Sequence, residues 1–113
     1  MKSKIRVAII GYGVVGKRRR KFIAKNKNYS LVAVSDIQFL QNTLKKKKLV
    51  FYKFYKDLLN KEKLDAVFVT LPNYLASTVT KECIKRKLHV FCEKPPARNV
   101  KEILEVKDIL KKY

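Results

Sequence analysis

Gly11-Tyr12-Gly13-Val14-Val15-Gly16 stands between an apolar run, Ile5 to Ile10, and a segment patterned as a helix; that placement constrains the fold more than the glycines do alone. An acidic residue, Asp36, lies 20 residues beyond Gly16, at the end of a second strand-like run, Leu31-Val32-Ala33-Val34-Ser35. Strand, glycine loop, helix and distal acid at this spacing describe a dinucleotide-binding βαβ unit. In such a unit Gly11 permits the tight turn off the first strand, Gly13 lets the backbone approach a pyrophosphate, and Gly16 lets the helix pack closely on the sheet. The diphosphate then rests on the helix N-terminus, where unpaired N–H groups and the positive end of the helix dipole favour an anion without a cationic side chain. A strand-to-helix turn with no ligand would use the same glycines, but it does not account for Asp36.

The chain of 113 residues is long enough for one domain with its own core, and residues 1–113 are expected to form a single dinucleotide-binding domain. No segment reaches the roughly 20 apolar residues that span a bilayer, and Arg6 interrupts the N-terminal apolar stretch too early for a secretion signal. A cytoplasmic protein without a membrane partner is therefore expected. Cys83 and Cys92 fit a reducing compartment, show no metal-ligand spacing and read as small core residues. The net charge of +19 raises the possibility of a nucleic-acid partner. The cations are mostly lysine and spread along the chain, however, with dense clusters only at Lys17-Arg18-Arg19-Arg20-Lys21 and Lys45 to Lys48. Lysine at solvated surface positions accounts for this better than phosphate recognition, so nucleic acid is not the expected partner. The first cluster begins beside the presumed phosphate site and can either add a positive field there or form a wet helix face.

Apolar runs recur at 5–10, 31–35, 66–70 and 88–92, with a weaker aromatic one at 50–55. Helical patterns fill the gaps at about 14–26, 38–48, 57–62, 74–87 and 99–112. Strands alternating with helices imply an α/β fold: a doubly wound parallel sheet of the Rossmann type, strand order 3-2-1-4-5, in three α/β/α layers. A ligand of such a sheet lies across the carboxyl ends of its strands. Those ends carry the glycine loop, then Asp36 and Ile37, then Thr70-Leu71-Pro72-Asn73, and finally Glu93-Lys94-Pro95-Pro96. Asp36 can accept hydrogen bonds from both ribose hydroxyls of an adenosine while repelling a 2′-phosphate, which favours NAD over NADP; it can also cap the next helix. Asn73 reads equally as a helix N-cap and as a cofactor contact. Lys94, on the ligand edge between Glu93 and Pro95, can bond cofactor and substrate hydroxyls and assist proton transfer. His89 starts its strand at the opposite end and reads as structural.

With these residues in view, the chain resembles the glucose-fructose oxidoreductase and myo-inositol dehydrogenase family, Gfo/Idh/MocA. The resemblance runs from the loop Ile5 to Gly16, through Val34-Ser35-Asp36 and Leu64 to Asn73, to His89-Val90-Phe91-Cys92-Glu93-Lys94-Pro95, and the Glu-Lys-Pro segment is its most specific part. It implies a cofactor set of Gly11, Tyr12, Gly13, Val14, Val15, Gly16, Asp36, Ile37, Thr70, Leu71, Pro72, Asn73, Glu93 and Lys94. It also implies Lys94 as the catalytic residue and hydride transfer between a nicotinamide and a sugar, polyol or nucleotide-sugar hydroxyl. Two departures stand out. Ala76 occupies a position where many members carry a histidine, and the second domain that builds most of the family's substrate pocket is absent from these residues. The expectation is thus a cofactor half whose substrate and final acid or base come from elsewhere, with exposed apolar surface that favours association. A non-catalytic NAD-sensing module is the alternative; it would have no need of Lys94.

Overall fold

The computed structural model describes residues 4–92 and 100–112. Its elements run β1 (Ile5–Ile10), α1 (Val14–Lys25), β2 (Tyr29–Ser35), β3 (Thr43–Lys46), β4 (Leu49–Tyr52), α2 (Tyr55–Lys61), β5 (Ala66–Val69), α3 (Asn73–Lys85), β6 (His89–Cys92) and α4 (Val100–Lys112). The strands form one sheet in the order β3-β4-β2-β1-β5-β6. Every pairing is parallel except that of β3 with β4. Without β3, this is the order expected from the sequence, with β4 in the place of the aromatic run.

The central strands are apolar almost throughout because both of their faces are covered, as parallel sheets require. Val7, Ala8, Ile9 and Ile10 of β1 and Ala66 to Val69 of β5 are all buried. On one face, Val7, Ile9, Val34, Ala66 and Phe68 pack beneath Ile23 of α1. On the other, Ala8, Ile10, Val32, Val67 and Val69 meet Leu58 and Leu59 of α2 and Ala76, Val79 and Cys83 of α3. α4 packs along α3, where Lys81 and Glu105 pair at 2.8 Å. The layers are therefore helix, sheet and helix, with α1 alone on its side among the described residues.

One expectation fails. Residues 38–48 do not form a helix; after two short turns the chain makes an antiparallel hairpin in which Lys46 pairs with Leu49 across the loop Lys47-Lys48. The reason is pairing with β4. Leu44 lies opposite Phe51 and Lys45 opposite Val50, so the segment gains ladder hydrogen bonds to β4 while all four of its residues stay exposed at the sheet edge. Lysine on an outer strand also discourages edge-to-edge association. The lysine run is wet as expected, but as an edge strand and a turn.

Candidate functional site

β4, β2, β1 and β5 bring their carboxyl ends together, and backbone bonds tie those ends. Gly11 N–H donates to the Ser35 carbonyl at 2.8 Å, Thr70 N–H to the Ile10 carbonyl at 2.9 Å, and Asp36 N–H to the Tyr52 carbonyl at 3.1 Å. The glycine loop, Asp36 and Thr70 are neighbours for this reason, although 59 residues separate Gly11 from Thr70.

Steric demands differ at the three glycines. Gly11 has φ +98°, and a Cβ there would stand 2.6 Å from the Thr70 carbonyl oxygen, so both its conformation and its surroundings require glycine. At Gly16 a Cβ would lie 2.2 Å from the Gly11 carbonyl oxygen, closer than any side chain tolerates. Around Gly13 a Cβ would meet nothing within 4 Å. Gly13 is also the N-cap of α1, with no side-chain cap and no acid in the first turn. The first helical bond, Lys17 N–H to the Gly13 carbonyl at 2.9 Å, leaves the N–H groups of Val14, Val15 and Gly16 without helical acceptors. Open space in front of unpaired donors at the positive end of a helix suits a diphosphate, so the residues present fit a dinucleotide.

Asp36 faces this loop. Its Oδ2 accepts from Tyr12 N–H at 3.0 Å and its Oδ1 from Gln38 N–H at 2.9 Å. The predicted capping role thus becomes a turn closure, because no helix follows. Each carboxylate oxygen retains further lone pairs for ligand hydroxyls. Ile37, next in sequence, is largely exposed.

Tyr12 contributes its backbone to the loop and its ring to packing. The ring stands edge-on to Phe39 and Phe51, with centroids 6.2 Å away in both cases. Arg20 Nη1 donates to its hydroxyl at 2.6 Å and Lys17 Nζ lies 5.8 Å from its ring centroid. Two members of the first basic cluster are therefore turned onto Tyr12, a detail that charge counting did not reveal. Val14 and Val15 are exposed on the first turn of α1.

At the end of β5 the Thr70 hydroxyl donates to the Gly11 carbonyl, and Leu71 lies beside Gly11. Pro72 is the N-cap of α3, so Asn73 is the first helical residue and not the cap. Glu93 and Lys94 lie outside the described residues. His89 is exposed at the far end of the sheet, its N–H bonded to the Asp65 carbonyl at 3.1 Å. Among the described residues no group of His, Cys, Asp or Glu could hold a metal ion, and no helix is long and apolar enough to cross a membrane.

Residues 5–113 match the oxidoreductase family with an NAD-binding Rossmann fold, Gfo/Idh/MocA. Myo-inositol 2-dehydrogenase of Thermotoga maritima is 32% identical over 88% of this chain and 30% of its own length. The WlbA dehydrogenase of Chromobacterium violaceum, solved in complex with NADH and UDP-GlcNAcA, superimposes with a TM-score of 0.87 at 26% identity, over 99% of this chain and 33% of that one. D-galactose-1-dehydrogenase of Rhizobium etli gives a TM-score of 0.85 at 26% identity, over 99% and 35%. The chain thus spans about a third of the length of the relatives it matches.

Proposed function

The chain belongs to the Gfo/Idh/MocA oxidoreductases as their NAD-binding Rossmann domain, and from that premise we propose that it is the cofactor half of a dehydrogenase acting on a sugar, polyol or nucleotide-sugar hydroxyl. The observation that carries this reading is Gly13: open space over the uncapped first turn of α1, next to Tyr12, whose N–H is bound by the carboxylate of Asp36. NAD, when bound, supplies the hydride acceptor or donor at nicotinamide C4.

In this reading the N–H groups of Val14, Val15 and Gly16 hold the diphosphate, and the flanking Gly11, Tyr12 and Gly13 shape the loop. Asp36, already oriented by two backbone donors, accepts from the adenosine ribose and disfavours a 2′-phosphate. Ile37 and Leu71 flank the adenosine side. Pro72, Asn73, Glu93 and Lys94 belong to the nicotinamide side. Lys94 hydrogen-bonds the reacting hydroxyl and helps to move its proton, which makes it the catalytic residue of this chain. Substrate contacts and the final acid or base come from a second domain, in keeping with the length of the relatives. The buried Cys83, a thiol outside any disulfide, suits a reducing cytoplasm.

The test is calorimetric titration of the chain with NAD and with NADP. NAD is expected to bind more tightly, and Asp36→Ala is expected to weaken NAD by about tenfold and to narrow its margin over NADP. Equal binding of both cofactors, untouched by Asp36→Ala, would remove Asp36 from the site.

A further inference from the structure

We infer that Thr70 is a positioning residue for the glycine loop, acting on the bound dinucleotide through the Gly11–Tyr12 peptide and not by contact with its nicotinamide end. The inference rests on the NAD-binding reading above.

The Gly11 carbonyl and the Tyr12 N–H are the two ends of one peptide plane. From the end of β5 the Thr70 hydroxyl donates to that carbonyl. From the end of β2 the Asp36 Oδ2 accepts that N–H at 3.0 Å. The plane is therefore held from both strands that flank β1, by two side chains on opposite sides of the loop. Its surroundings leave little room to turn. The position of a Cβ on Gly16 is 2.2 Å from the Gly11 carbonyl oxygen and 3.1 Å from Thr70 Oγ1, which places the hydroxyl, the carbonyl and the start of α1 in one packed cluster. Gly11, at φ +98°, holds a backbone conformation open only to glycine, and Thr70 holds the carbonyl that follows its ψ torsion. Rotation of this plane would carry Tyr12 and Gly13 with it and so re-aim the donors at the head of α1. The hydroxyl can sample only a few acceptors; besides Gly11, the Ile10 carbonyl lies 3.4 Å away. It is committed to the loop backbone.

A group that acts through the loop affects every ligand with a diphosphate, whereas a group that touches the nicotinamide end affects only the complete dinucleotide. ADP carries adenosine and diphosphate without nicotinamide, so comparing it with NAD separates the two cases. We expect Thr70→Val, which keeps the shape and removes the donor, to weaken NAD and ADP by the same factor, about fivefold to tenfold. Thr70→Ser, which restores the donor, should return both affinities close to those of the unaltered chain. Melting temperatures are measured alongside. Loss confined to NAD, failure of Thr70→Ser to rescue, or a lowered melting temperature with unchanged affinities would each overturn the inference. If Thr70→Val does not fold, Thr70→Ala takes its place with the same readouts. Absence of binding of both NAD and ADP to the unaltered chain would instead refute the NAD-binding reading, and this inference with it.

Discussion

At the residue scale, the candidate site is built of backbone groups held by a few side chains. Gly11 and Gly16 are required by close approach, Gly13 by the space it leaves, and Asp36 and Thr70 by the peptide they hold between them. Cys83 illustrates the opposite case, a reactive group silenced by its surroundings. Burial, reinforced by nearby Glu82, pushes its thiol from an ordinary 9.0 up to about 12. Below pH 9 the folded and unfolded chains both keep this proton, while between pH 9 and 12 only the unfolded chain loses it, so stability falls as pH rises through that window. Melting curves at alkaline pH are expected to decline less steeply for Cys83→Ala than for the unaltered chain; parallel declines would contradict the assignment. The close approach at Gly11 and Gly16 and the position of Asp36 beside the loop were legible because they depend on spacing along the chain. The bond from Tyr12 N–H to Asp36 and the Thr70 bond to Gly11 were not, since they depend on how three strand ends meet in space.

At the element scale, strand order followed from alternating apolar runs and helical patterns, and five of the six strands could be placed from them. β3 was missed for a physical reason: Lys45 to Lys48 are good helix formers, and the turn that reverses the chain carries no glycine or asparagine to announce it. Lys47 instead adopts a left-handed conformation at φ 54°. A second such lysine ends α3. Lys87, at φ 62°, follows the C-cap Arg86, and its N–H donates to the Ile84 carbonyl at 2.8 Å while Leu88 N–H donates to the Cys83 carbonyl at 3.1 Å. This paired pattern normally uses glycine at the left-handed position. Lys87→Gly is therefore expected to stabilise the chain by about 0.5–1 kcal/mol, measured by denaturant unfolding; destabilisation would mean that the lysine side chain makes a contact worth more than the strain.

At the scale of the whole molecule, two surfaces stand out beside the glycine loop. One is a groove of about 680 Å³ bounded by Arg19 and Phe22 of α1 and by Phe68 and Phe91, whose rings stack at 4.8 Å. Phe22 and Phe91 are each about half exposed there, 53% and 51%. The other is the charge: +19 over 113 residues, with described carboxylates such as Glu62, Glu82 and Glu105 already paired. Repulsion of that size opposes the association that an exposed apolar groove favours. Neither surface accounts for the glycine loop, which has the shape of a diphosphate site. Titration of NAD into the chain and into Gly13→Ala, with melting curves of both, tests that claim most directly. Gly13 sits at φ −88° with open space around its Cβ position, so the substitution is expected to cost only the N-cap preference of glycine over alanine, about 0.5–1 kcal/mol, while weakening NAD by about tenfold or more, because the added methyl occupies the approach to the helix N-terminus. Undiminished NAD binding by a folded Gly13→Ala chain would contradict the account.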